Sequence, residues 1–322
     1  MALKDDILAL SNLEEFSSMA MKVFNYQAES CEVYKKYIHV TGRTQPTNIF
    51  EIPFLPIEFF KKFDIVSKDL PENSPYFLSS GTSNSVRSKH WVLDMEYYLS
   101  SCETSYRKFI GNPEEQVILA LLPNYLEQGN SGLVRMVEHL INLTNDGLSG
   151  FMLSELDEVF SRYEQALQTN KKVVIFGVSY SLMDLADKGF PLMESIIIET
   201  GGMKGRREEL PKKLLHDYIL NGTSCKILYS EYGMTELFSQ AYAKDNLLFI
   251  TPPWMKIITS DPSDPFSIVE GRRGVINVID LANIDSCSFI QTQDIGINTP
   301  VGFSIEGRMQ QSDIRGCNQL VE

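Results

Sequence analysis

Positive charge is what this sequence has least of for its size. Lys and Arg number 29 against 42 Asp and Glu, a net charge of −13 over 322 residues. So acidic a chain argues against nucleic acid or an anionic membrane surface as the main partner, while leaving room for a local basic patch. No apolar run approaches the roughly 20 residues that span a bilayer. The opening Met1-Ala2-Leu3-Lys4-Asp5-Asp6 has neither an apolar core nor a small-residue cleavage site, so it is not read as a signal peptide. The five cysteines, Cys31, Cys102, Cys225, Cys287 and Cys317, form no Cys-x-x-Cys pair, and only 4 histidines accompany them. Zinc is thereby disfavoured, and dispersed thiols suit a reducing cytoplasm. Cys31, Cys102, Cys225 and Cys287 fall in apolar patterns and are expected in the core. No internal repeat and no low-complexity linker divides the chain, so one continuous body with subdomains is expected.

What is there is an alternation of short apolar runs with helical periodicity. Residues 12 to 40 read as one long helix, with Ser11 and Glu14 as its capping box and Leu13, Phe16, Met19, Val23 and Phe24 at helical spacing. Residues 42 to 75 are rich in Pro and aromatics and read as an irregular connector. Val117 to Leu122, Val173 to Phe176, Ser195 to Ile198 and Lys226 to Tyr229 are short apolar runs, the last two opening on a single polar residue. Helical patterns near 131 to 145, 154 to 168, 180 to 189 and 206 to 220 separate them. This is the pattern of a largely parallel sheet covered by helices. After residue 245, strands at Leu247 to Ile250, Met255 to Ile258, Val275 to Ile279 and Ser288 to Thr292 are set off by Pro, Asp and Gly turns, which predicts a mostly antiparallel, barrel-like portion. The expected divisions are 1–75 (helix and connector), 76–245 (α/β core), 246–305 (β-rich) and 306–322 (tail).

The run Tyr76-Phe77-Leu78-Ser79-Ser80-Gly81-Thr82-Ser83-Asn84-Ser85 joins a strand end to a loop of Gly and small hydroxyl residues. Such a loop exposes N–H and O–H donors together and lets a polyphosphate approach closely. No Gly-Lys-Ser/Thr follows, which argues against a Walker loop. Three further segments lie downstream: Tyr232-Gly233-Met234-Thr235-Glu236, Thr292-Gln293-Asp294-Ile295-Gly296 and Gly307-Arg308. In this order and at these separations, the four together resemble the signature of the adenylate-forming superfamily of acyl-CoA synthetases and peptide-synthetase adenylation domains. Leu122 to Glu127, Glu199-Thr200-Gly201-Gly202-Met203-Lys204 and Ser312-Asp313-Ile314-Arg315-Gly316-Cys317-Asn318 are similar to its acyl-protein synthetase (LuxE-type) branch. The resemblance covers roughly residues 50 to 322.

The resemblance implies an adenylate-forming N-terminal-type body with the smaller C-terminal domain, and its substrate-contacting lysine, essentially absent. It implies ATP and Mg²⁺ as cofactors and acyl transfer to a thiol by way of acyl-AMP. Ser79, Ser80, Gly81, Thr82 and Ser83 would bind the β- and γ-phosphates. Tyr232, beside Gly233, would stack on adenine, Thr235 would bond the α-phosphate, and Glu236 would hold Mg²⁺, a hard cation that suits a carboxylate. Gly201 and Gly202 would form the adenine-side loop. Asp294 would take the ribose diol and Arg308 the ribose or phosphate oxygens. Cys317, beside Arg315, would be the acyl-accepting nucleophile, which passes the group to a partner reductase.

Each residue also has a plainer reading: a helix N-terminal turn for the Ser/Gly loop, a turn before a helix for Tyr232 to Glu236, a turn Asp before Gly296, an exposed Arg308, and an inert Cys317. Arg87 and Lys89 depart from the family spacing and read equally well as an exposed face. His139 reads as a satisfied histidine rather than a base. Asn124, Tyr125 and Glu127, with the Gly147 to Met152 run, would rim and wall a pocket for a medium or long fatty acid. Coenzyme A or a carrier-protein pantetheine is the alternative acceptor. A degenerate, non-catalytic acyl- or nucleotide-binding subunit is the alternative outside enzymes.

Overall fold

A computed structural model describes residues 2–80, 86–122, 129–152, 156–202, 207, 210–245 and 247–309. The chain divides into two compact units. The first comprises Met1–Tyr98, Glu236–Ser239 and Ile250–Glu322, and the second Leu99–Thr235 and Gln240–Phe249.

The first unit is built on an antiparallel sheet. Met255–Asp261 pairs with Asp264–Ile268 on one side and Arg273–Asp280 on the other, and Phe289–Thr299 and Gly302–Arg308 follow. Leu55–Pro56 adds a parallel pairing to Phe289–Thr299. The expected N-terminal helix is two, Leu13–Ser30 and Glu32–Val40, broken where Cys31 is extended (φ −90°, ψ 98°). Its cap is Asn12, which accepts the Glu15 N–H at 3.0 Å, not Ser11. Glu15 rather than Glu14 reaches back to the Ser11 N–H and hydroxyl. Phe16, Met19, Val23 and Phe24 are buried as the spacing predicts, whereas Leu13 is 61% exposed. Phe24 and Tyr34 pack edge-on, and Tyr34 stacks on Phe289 at 5.8 Å between centroids. The buried Gln27 amide donates to the Asn283 and Ile284 carbonyls and accepts the Ser288 N–H, tying the helix to the turn after Asp280.

The second unit carries the parallel sheet, in the order Gly150–Phe151, Gln116–Leu121, Lys172–Gly177, Ser195–Glu199 and Ile227–Tyr232, with Ala241–Lys244 added antiparallel. Gln116–Leu121 is buried along its whole length, as a strand covered on both faces must be. Its helices include most of Met95–Phe109, then Gly132–Thr144, Leu156–Ala166, Ser179–Asp187 and Lys212–Thr223. The last begins later than its pattern suggested, because Pro211 stands at its N-cap. Cys31, Cys102, Cys225 and Cys287 are buried, as their apolar surroundings in the sequence suggest. Among the described residues no helix is long and apolar enough to cross a membrane.

Candidate active site

The Ser/Gly loop emerges from a hairpin that the sequence only half revealed. Tyr76–Leu78 pairs antiparallel with Lys89–Trp91, and Ser79 and Ser88 close its neck. The Ser79 N–H donates to the Ser88 carbonyl at 3.0 Å, and the Ser88 N–H donates to the Ser79 hydroxyl at 2.9 Å. A hairpin neck, not a helix N-terminus, therefore carries the loop. Ser80 is exposed at its start; Gly81, Thr82 and Ser83 lie outside the described residues. Arg87 is exposed, and the Lys89 ammonium sits over the Trp91 ring at 3.5 Å.

Glu236 belongs to the same unit. Its side chain is buried, 4% exposed, and accepts the Ser88 hydroxyl. Burial pushes its carboxyl up, against the Ser88 bond and the charges of Arg308 and Lys61. The segment it opens is not helical; it is a turn pinned from the C-terminal strands. The Phe238 and Ser239 N–H groups and the Ser239 hydroxyl donate to the buried Asp280 at 2.8, 3.0 and 2.6 Å. The Asn283 amide donates to the Glu236 carbonyl at 2.8 Å, and the Asn283 side-chain oxygen meets His90 Nε2 at 2.9 Å. Ser88, His90, Asp280 and Asn283 escaped the sequence reading. Only Asp280 left a signal, as an acid ending the apolar run Val275 to Ile279. Asp280→Ala would strand three buried donors and should lower stability by about 2–4 kcal/mol. A melting temperature within a degree or so of the parent's would show that water takes over those bonds.

Asp294 does not lie in a turn. It sits within the strand Phe289–Thr299, where a register shift at Gly296 absorbs the glycine, and it pairs across the ladder with Arg308. The Arg308 Nε lies 3.6 Å from its carboxylate, with Asp294 largely buried and Arg308 64% exposed. Fold and chemistry thus bring together two residues named separately from the sequence.

In the second unit, the remaining predicted residues lie at the C-terminal ends of the parallel strands, the usual ligand edge of such a sheet. Tyr232 ends Ile227–Tyr232, with its ring tilted on Phe249 at 5.7 Å. Gly233 and Thr235 follow it outside any helix. A Cβ at Gly233 would meet the end of the Glu231 side chain, so a larger residue there would make that carboxylate shift. Gly201 and Gly202 have φ of +74° and +93°, a backbone that favours glycine. The fully buried Glu199 shapes their loop: it accepts the Gly201 N–H at 2.9 Å and the Ser179 and Ser230 hydroxyls, and pairs with Lys212. Burial works against its charge, yet Lys212, Ser179 and His216 together hold its carboxyl below the usual range. Glu231 is pushed the other way, up to about 8, by burial and then by the Glu199 charge, with Lys212 opposing.

Unfolded, Glu231 ionises near 4.5, whereas the folded chain keeps its proton up to about 8. Folding therefore takes up a proton in that window, and this group's contribution falls as pH rises through it. Glu231→Gln should gain melting temperature over the parent progressively from about pH 4.5 to about pH 8. A difference that stays constant with pH would place this carboxyl in ordinary solvent.

His139 Nε2 lies 2.8 Å from Glu103, a satisfied histidine. Leu148 and Phe151 are half-buried and Met152 is buried; Asn124, Tyr125, Glu127, Met203, Lys204 and Cys317 lie outside the described residues. Among the described residues no three or more His, Cys, Asp or Glu converge on a metal position. A lone buried carboxylate fits Mg²⁺, which takes one or two carboxylates and fills its remaining positions with phosphate oxygens and water.

Residues 11–322 match the acyl-protein synthetase, LuxE, family. The chain belongs to this family. Among curated proteins none matches it. The fold is that of the adenylate-forming acyl-CoA ligases. An open conformation of 2-hydroxyisobutyryl-CoA ligase in complex with 2-HIB-AMP and CoA is similar at a TM-score of 0.67 and 12% identity, over 97% of this chain and 76% of that one. The same ligase in its postadenylation state gives 0.63 and 13%, over 90% and 66%. ATP-bound MatB from Rhodopseudomonas palustris gives 0.55 and 16%, over 72% and 47%. This acyl-protein synthetase family member thus spans about two thirds of the length of the postadenylation ligase and about half of MatB. Its family and fold are those of AMP-forming acid–thiol ligases.

Proposed function

We propose that this chain activates a carboxylic acid with ATP and delivers the acyl group to a thiol. The observation that carries this reading is the acyl-protein synthetase match over residues 11–322. The buried Glu236 fastened to the loop neck, and the Asp294–Arg308 pair, support it. A carboxylate oxygen of the substrate attacks the α-phosphorus, the bond to the bridging oxygen breaks, and pyrophosphate leaves. A thiolate, its proton given to solvent, then attacks the acyl carbon; the bond to AMP breaks and a thioester forms. The chain's own part is positioning and charge stabilisation.

In this reading Ser79 to Ser83 donate to the β- and γ-phosphates, Thr235 to the α-phosphate, and Asp294 accepts the ribose hydroxyls beside Arg308. Tyr232 stacks on adenine, next to Gly233 and the Gly201-Gly202 loop. Glu236 holds Mg²⁺, which when bound neutralises phosphate charge. The acid is fatty, in keeping with the apolar Leu148, Phe151 and Met152. The acceptor is Cys317, which serves a partner reductase; coenzyme A or a carrier protein is the other acceptor. The compartment is the cytoplasm, in keeping with the dispersed and buried Cys31, Cys102, Cys225 and Cys287. ATP–pyrophosphate exchange across a panel of carboxylic acids tests the reading. Exchange stimulated by at least one aliphatic acid is expected, and none across the panel would overturn it.

A further inference from the structure

Ser88 is 2% exposed and stands where two parts of the first unit meet. Its backbone closes the neck of the Ser/Gly loop through the two bonds to Ser79. Its hydroxyl donates to the Glu236 carboxylate. Two residues on, His90 bonds Asn283, and Asn283 holds the Glu236 carbonyl. Residues 88–90 thus reach Glu236 directly at its side chain through Ser88 and indirectly at its carbonyl through the His90–Asn283 bond, while Ser88 closes the hairpin neck.

We propose that Ser88 is a positioning residue that couples Ser79, the phosphate-side residue at the hairpin neck, to the Glu236 carboxylate receiving the metal ion, so that these two are set in register before the nucleotide arrives. The ligand identities rest on the function proposed above; the bonds do not. The residue type suits the task. A serine hydroxyl offers one donor and occupies one of the carboxylate's several acceptor positions, leaving the others for a cation. A lysine or arginine there would neutralise the carboxylate and compete with Mg²⁺. An alanine would remove the side-chain donor to the buried carboxylate and leave it its own backbone N–H.

The test compares Ser88→Ala and Ser88→Thr with the parent by calorimetric titration of ATP at stepped Mg²⁺ concentrations, alongside thermal unfolding. Losing a hydrogen bond to a charged group should raise the Mg²⁺ concentration that half-restores ATP binding about tenfold in Ser88→Ala. Ser88→Thr keeps the hydroxyl and should return it to the parent's value. If Ser88→Ala lowers the melting temperature but leaves the Mg²⁺ dependence unmoved, Ser88 is a packing residue and the coupling is overturned. If the parent binds no ATP at any Mg²⁺ concentration, the proposed function fails and the coupling fails with it. The two failures are therefore told apart by the parent alone.

Discussion

Glu236→Gln should lower ATP–pyrophosphate exchange about 100- to 1,000-fold and leave the melting temperature at or above the parent's. The two halves of this expectation have different physical sources. Glutamine matches the shape of glutamate and can still accept the Ser88 hydroxyl, so the packing survives. It also removes a charge whose burial already works against ionisation. The backbone at 236–239 is held independently by Asp280 and Asn283, so the segment has no reason to rearrange. What would be lost is the negative charge to which the proposed function assigns Mg²⁺, and with it phosphate neutralisation as the bond to pyrophosphate breaks. Exchange near the parent's rate would remove Glu236 from the site. Retained exchange with a much lower melting temperature would make it a structural acid.

Cys317→Ser should leave exchange intact and abolish the hydroxylamine-sensitive acyl label on the protein. Adenylation consumes no thiol, so the first step is indifferent to the change. Transfer needs the thiolate, and a serine hydroxyl at ordinary pH is a far weaker nucleophile. Neutral hydroxylamine cleaves a thioester but acts much more slowly on a serine ester, so the substitution also reports the bond type. Chain length bounds the reach: Cys317 follows Arg308 by nine residues, and a fully extended segment of that length covers roughly 30 Å at most. Label that persists in the variant, with efficient transfer to coenzyme A or a carrier protein, would make the chain a ligase for an external acceptor.

The parallel sheet was legible because strands covered on both faces must be apolar throughout, and Val117 to Leu122 and Val173 to Phe176 are. The N-cap was misplaced by one residue because Ser11 and Asn12 are both short and polar, and only geometry selects between them. The break at Cys31 was invisible, since cysteine carries no helix-breaking chemistry. The plainer reading of Asp294, a turn residue, arose because glycine follows it closely, yet a β-bulge in a long strand accommodates the same pattern. Tyr232, Thr235, Glu236, Asp294 and Arg308 were legible as members of an ordered set of motifs. Their supports were not. Ser88, Asp280 and Asn283 act on partners distant in sequence, and a serine, an aspartate and an asparagine have no local periodicity to mark them.

The most direct measurement follows one atom. The carboxylic acid found active in exchange is labelled with heavy oxygen in its carboxylate and incubated with ATP, Mg²⁺ and the intact protein, and the nucleotide products are weighed by mass spectrometry. Attack of the carboxylate on the α-phosphorus followed by thiol transfer leaves one heavy oxygen in AMP, with unlabelled pyrophosphate beside it. Formation of ADP, with the heavy oxygen in inorganic phosphate, would mean attack at the γ-phosphorus through an acyl phosphate and would contradict adenylation by this chain.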